Sequence, residues 1–259
     1  MVDSKKKKQK QQNLTQKRSL ETIYGIGKAK ARIITNANNE IQSVEDILKN
    51  DTYKNQKCAI VKKPCLLQQS SLDYLEYYED LQKPIPKTDI NHFKTELEKR
   101  LDKDTKFEMM GSYRRGKDQS GDIDVMFIDN ATTRSRFPDK QYLQTILQRL
   151  HDKFLVWITL SSGSDNWKGI IKLTENSQAM RVDFFVTTRL AYPFAAIAHT
   201  GDADYNKKIR SIAKSKGFVL NHKGLRKIDT KDEDTHYIQT EFPTEESVFT
   251  YLGVKYKEP

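Results

Sequence analysis

The chain has 259 residues, 36% hydrophobic and 31% charged, with a formal net charge of +10; that length suits one large domain or two to three small ones. Its 11 glycines and 2 cysteines exclude a collagen-like chain and a disulfide scaffold, no heptad is sustained, and no stretch approaches the roughly 18 apolar residues that span a membrane. Seven Lys and Arg against Asp3 place +6 of the charge in residues 1–18 and leave +4 for the rest.

Residues 1–18 read as a basic, solvated arm, open to a second reading as a nuclear address or a non-specific phosphate contact. No apolar run follows the lysines, so this is not a secretory signal. Cys58 and Cys65 are then expected as free thiols in a reducing compartment. From Ser19 the pattern becomes helical: Ser19–Ile23, the turn Gly25-Ile26-Gly27, and Lys28–Ile34 predict helix, turn, helix. Ser43 caps an acidic first turn at Val44–Leu48, and Leu72–Leu81 is a further helix. Lys83-Pro84-Ile85-Pro86 breaks the pattern and marks a boundary.

Beyond it the period changes. Ile90, Phe93, Leu97 and Leu101 mark one helix face, and Tyr142, Ile146, Leu147, Leu150 and Phe154 a second. Strands are predicted at Phe107–Met110, Asp122–Ile128, Leu155–Leu160, Gly169–Leu173 and Arg181–Val186. Helices return at Tyr192–His199 and Tyr205–Lys216, the latter closed by Gly217 as C′ residue. The chain is therefore α+β with a small sheet.

The chemistry concentrates in Gly111-Ser112-Tyr113-Arg114-Arg115-Gly116-Lys117 followed by Gly121-Asp122-Ile123-Asp124-Val125. On a strand, residues two apart share a face, so Asp122 and Asp124 project together. Two carboxylates this close repel unless a cation separates them, and an all-oxygen set suits Mg²⁺. Asp183, flanked by Val182 and Phe184, is expected on a buried strand, where an aspartate needs a partner. If that strand lies beside the first, the three acids can hold two divalent ions about 3.5–4 Å apart. Gly111, Gly116 and Gly121 let the backbone approach an anion, Ser112 can donate to phosphate, and Arg115 offers a fork for it. Arg114 reads equally as a structural ion-pair partner.

The Gly-Ser-x-Arg-Arg-Gly-Lys run with Gly-Asp-Ile-Asp resembles the palm signature of family X DNA polymerases, the DNA polymerase beta-like members of the nucleotidyltransferase superfamily. Gly25-Ile26-Gly27-Lys28-Ala29-Lys30-Ala31 is similar to the helix-hairpin-helix of their fingers, Tyr77–Leu81 and Ile85-Pro86-Lys87 to the approach to the palm, and Thr200-Gly201, Asn206, Arg210 and the ending Tyr251–Pro259 to the thumb. The resemblance implies a nucleotidyltransferase palm with a small mixed sheet, flanked by helix-hairpin-helix fingers and an α+β thumb. The boundaries it suggests are a tail over 1–18, fingers over 19–86, palm over 87–189 and a nucleotide-selecting thumb over 190–259.

It further implies Asp122, Asp124 and Asp183 as ligands of Mg²⁺, with Mn²⁺ as substitute, and Arg181 beside the primer terminus. Gly111, Ser112, Arg115 and Gly121 would hold the triphosphate. Ala198, His199, Thr200, Gly201 and Asn206 would face the nucleotide, and Gly25, Gly27, Lys28, Lys30 and Arg210 the DNA, with a monovalent cation at the hairpin. The implied activity is template-directed filling of short gaps in DNA repair, including base excision repair, from dNTP on gapped or primer-template DNA. The implied protein is a monomer, free of membranes, with a repair ligase as partner. It is intracellular, in the nucleus or, for a viral chain, in the virion or at the site of viral DNA replication. Alternatives are a template-independent terminal transferase and a non-catalytic DNA-binding module.

Departures qualify the resemblance. No counterpart of the family's lyase domain and no Schiff-base lysine is recognised before residue 19, so no lyase activity is expected. Ala198-His199-Thr200-Gly201 stands where Tyr-Phe-Thr-Gly is usual. Ala203 replaces an aspartate near the incoming base, Phe185 a basic residue, and His222-Lys223 a Glu-Tyr pair. The loop Ser161–Trp167 is short, as in template-dependent members.

Overall fold

The computed structural model describes residues 17–37, 39–49, 67–130, 138–228, 237–238 and 242–258; the expectations for the tail up to residue 16 and for Cys58 and Cys65 lie outside them. The chain forms two compact units, Met1–Tyr78 and Glu79–Pro259.

In the first unit a 3₁₀ turn at Leu20–Thr22, capped by Ser19, leads through Gly25 (φ 78°) into helix α1 (Lys28–Ala37). The expected helix–turn–helix thus has one regular helix; its first half is a single 3₁₀ turn. The Ser71 hydroxyl donates to the Tyr24 carbonyl at 2.8 Å and pins the turn. Helix α2 (Val44–Lys49) starts at Ser43, whose hydroxyl accepts from the Asp46 amide at 3.3 Å. Helix α3 (Gln69–Glu76) follows, and α4 (Tyr78–Leu81) crosses the junction. Ile23, Ile26, Ile34, Val44, Ile47 and Tyr78 are buried.

The second unit begins with β1 (Ile85–Pro86), which pairs with β3 (Gln119–Ser120). The proline segment expected as a boundary is therefore tied into this unit. Helix α5 (Lys87–Arg100) buries Ile90, Phe93 and Leu97, as their spacing predicts. The main sheet contains β2 (Lys106–Met109), β4 (Ile123–Asp129), β5 (Val156–Ser162), β6 (Asn166–Lys172) and β7 (Met180–Thr188), in the order β2-β4-β7-β6-β5. Only the central β4–β7 pair is parallel; its crossover carries helix α7 (Tyr142–Leu150), with the short helix α6 (Gly111–Arg114) lying earlier, before β4. Phe154, expected on the α7 face, lies beyond the helix, and Leu143, Ile146 and Leu150 are its buried stripe.

The two sheet faces differ. Val125, Phe127, Val182, Phe184, Trp167 and Ile171 pack with α5 and α7 into the larger core. The opposite face carries Asp124, Met126, Asp183 and Phe185, because side chains alternate along each strand. Helix α8 (Tyr192–Thr200) covers its far end, with Ala195 and Ala196 on Met110 and Met126. Helix α9 (Ala203–Ser215), the hairpin β8 (Phe218–Asn221) and β9 (Gly224–Lys227), and helix α10 (Glu245–Tyr251) close a second core around Ile209, Leu220, Leu225, Val248 and Phe249.

Candidate active site

Asp124 lies on β4 directly opposite Asp183 on the parallel strand β7. The strand expected to start at Asp122 starts at Ile123, so Asp122 sits at its mouth rather than within it. Asp183 is 8% exposed. Its carboxylate accepts a hydrogen bond from the Lys168 ammonium, while that of Asp122 accepts from the Arg181 guanidinium. Burial, together with the charges of Asp122 and Asp183, pushes the Asp124 carboxyl up to about 7. Burial also raises Asp183, against the pull of Lys168. Acids held this way favour a cation, and the donor set is all carboxylate oxygen, as a hard divalent ion requires. Lys168 and Arg181 each engage one of the three acids. Among the described residues no group of three or more His, Cys, Asp or Glu is arranged to hold a metal ion.

The turn before β4 is shaped by Gly111 (φ 59°), where any Cβ would collide with the Asp124 carboxylate. The Ser112 hydroxyl donates to that of Ser120 at 2.7 Å. Gly116 (φ 73°) and Gly121 are exposed, and nothing crowds either.

The structure separates the two arginines that sequence left equivalent. Arg114 donates to both Glu245 carboxylate oxygens, at 3.0 and 2.5 Å, and to the Thr200 hydroxyl; it is a structural ion-pair partner. Arg115 donates to the Thr200 carbonyl, and a Cβ on Gly201 would lie 2.8 Å from its guanidinium. Arg115 and Gly201 border a cavity of about 380 Å³ that Lys117, Tyr205 and Lys257 also line.

Ala198 and His199 lie in the last turn of α8. The Asn206 amide donates to the Ala198 carbonyl at 2.8 Å. The His199 ring packs on Phe185, centroids 3.9 Å apart, and lies 6.1 Å from the His222 ring. Burial, then the charges of His222, Lys168 and Arg210, lower His199 to about 4, so it is neutral at pH 7. Arg210 is exposed on α9. In the first unit Gly25, Gly27 and Lys28 are exposed and Lys30 half-buried.

Two features went unnoticed in sequence. Lys168 faces Asp183 through the β6–β7 register, and Asp165 is held down to about 2 chiefly by His222, 3.7 Å away. Both depend on strand register and long-range packing, and no local pattern in the chain marks them. The loop expected at Ser161–Trp167 is mostly strand, its turn only Gly163-Ser164-Asp165.

The family model of the DNA polymerase beta palm matches residues 84–189 and that of the DNA polymerase beta thumb residues 195–259. DNA polymerase lambda of Arabidopsis thaliana is 29% identical over 203 residues, covering 71% of this chain and 37% of that protein. DNA polymerase lambda of Rattus norvegicus is 29% identical over 159 residues, 58% of this chain and 27% of that protein. The DNA-directed DNA/RNA polymerase mu of Homo sapiens is 23% identical over 233 residues, covering 76% and 45%. The chain spans less than half the length of these curated relatives.

Proposed function

Because the chain belongs to family X of the DNA polymerases, we propose that it fills short gaps in DNA, adding nucleotides from dNTP to a primer 3′-hydroxyl under template direction. The observation that carries this reading is the row of Asp124 and Asp183 on adjacent strands, with Asp122 at its mouth and the Gly111–Lys117 turn beside it. Asp122, Asp124 and Asp183 would hold two divalent ions, Mg²⁺ or Mn²⁺, which activate the attacking hydroxyl and neutralise the triphosphate.

The chain's own residues do the rest. Arg115, Ser112 and the backbone at Gly111 and Gly121 bind the triphosphate. Thr200 and Gly201 wall the nucleotide, Asn206 turns from Ala198 to the base, and Arg181 steadies Asp122 beside the primer end. Arg210 faces the template, and Gly25, Gly27, Lys28 and Lys30 meet the DNA backbone, with a monovalent cation at that turn. The tight Gly163–Asp165 hairpin supports template direction, since it leaves no long loop to stand in for a template strand. Ala198 leaves room beside the sugar, and a relative named a DNA/RNA polymerase supports use of ribonucleotides as well. The protein would work as a monomer in nuclear repair, handing its product to a ligase.

Extension of gapped DNA bearing a 5′-phosphate, compared with a single-stranded primer in Mg²⁺ and in Mn²⁺, tests the proposal. Templated filling of the gap is expected. Equal extension of the single-stranded primer would overturn template direction.

A further inference from the structure

We infer that Lys168 is a built-in counter-ion that holds Asp183 in place before a divalent ion arrives and competes with that ion for the same carboxylate. This rests on the reading of Asp183 as a metal ligand and adds a positioning residue to it. Lys168, Asp183 and Asp124 form one row across β6, β7 and β4, because Lys168 is opposite Asp183 in the antiparallel pair and Asp183 is opposite Asp124 in the parallel one. Residues directly opposite across strands present their side chains on the same face. The lysine ammonium meets the Asp183 carboxylate there.

The ammonium is met from a second side. The ammonium lies 5.5 Å from the centre of the Phe185 ring, which in turn packs against His199. Arg181, on β7, engages Asp122 in the same manner. Two of the three acids thus each have an internal cation.

The physical consequence follows from burial. A carboxylate enclosed as Asp183 is requires a counter-charge. An ion that takes Asp183 must therefore displace the ammonium or share the oxygen with it. Lys168 can withdraw, since its side chain is 38% exposed and borne on a flexible stem. The lysine keeps the empty site folded at the expense of metal affinity.

The test is the Lys168→Met protein, which keeps the apolar stem and removes the charge. Mn²⁺ binding is read by electron paramagnetic resonance of the unbound ion, and melting temperature is read in EDTA and in Mn²⁺. An opposite charge at contact shifts ionic equilibria by one to three decades, so Mn²⁺ is expected to bind about tenfold more tightly to the variant. The variant should melt lower in EDTA and gain more from Mn²⁺ than the wild type does. Lys168→Arg, which keeps the charge, should bind Mn²⁺ as the wild type does. If Lys168→Met does not fold in EDTA, Lys168→Gln, which keeps a donor to Asp183 without the charge, carries the same expectations. Unchanged or weaker Mn²⁺ binding to the folded neutral variants, or equal tightening by Lys168→Arg, would overturn the inference. Failure of the underlying reading is separately visible: Asp183→Asn in an otherwise wild-type chain would then leave Mn²⁺ affinity unchanged.

Discussion

Asp124 and Asp183 stand opposite each other on the one parallel strand pair of the main sheet, and Gly111 presses so closely on Asp124 that no side chain fits between them. Replacement of either acid should stop nucleotide addition. Loss of a group that stabilises charge developing in the transition state costs about a hundredfold or more, and we expect at least about a thousandfold for Asp183→Ala in single-turnover extension. DNA binding, read by fluorescence anisotropy, should remain. Near-normal extension by the variant would remove Asp183 from the site.

The buried Asp124 carboxyl, held near 7 rather than at 3.8, makes ion binding depend on pH. Proton and cation compete for it, so Mn²⁺ affinity should fall as pH drops below about 7, by about tenfold per unit. The stability of the metal-free protein runs the other way. A carboxyl whose folded pKa is raised stabilises the fold fully below pH 3.8, and that contribution is lost as pH rises through about 7. Asp124→Asn should flatten both profiles and raise the melting temperature in EDTA at pH 8. Retention of the wild-type slope would show that another group titrates.

Arg114 and Arg115 are neighbours with separate duties. Arg114 is bound to Glu245 across the second unit, and breaking that half-buried pair should cost about 1–3 kcal/mol in urea unfolding. The Arg114→Ala and Glu245→Ala losses should be non-additive in a double-mutant cycle. Arg115→Ala should instead raise KM for dNTP with little loss of stability. A stability loss confined to Arg115→Ala would reverse the assignment.

Ala198 lies in the last turn of α8 and is half-exposed, and the His199 ring packs on Phe185. Discrimination by steric clash disappears when the clashing group is small. The ratio of kcat/KM for dNTP over rNTP should therefore be low and should rise in Ala198→Tyr. A high ratio in the wild type, unchanged by the substitution, would show that this position does not sense the sugar.

His199 titrates near 4 instead of 6.5 because it is buried among positive neighbours. A histidine with a lowered folded pKa contributes stability that is present above pH 6.5 and lost as pH falls through about 4. His199→Phe preserves the ring contact with Phe185 and should flatten the acid limb of urea stability between those limits. An unaltered limb would place the acid sensitivity elsewhere, with the Asp165–His222 contact the next group to examine.

Much of this was legible in the chain itself because it is local. The alternation around Asp124 and Asp183 assigns each to one strand face by geometry, and the spacing of Ile90, Phe93 and Leu97 orients α5 without knowledge of any partner. The Gly-Ser…Arg-Arg-Gly-Lys run concentrates anion-binding groups within a few residues. Strand neighbours and their register were not legible, since pairing is decided by burial of the whole sheet rather than by any one segment. That register sets Lys168 against Asp183, and the closure of the thumb core sets Glu245 against Arg114. The same long-range packing makes Ile85–Pro86 a strand paired with Gln119–Ser120. Sequence alone determined which side chains could bind a cation and a phosphate; the tertiary structure alone decided which charge each of them meets, because Coulomb interactions depend on distances that only the packed sheet supplies.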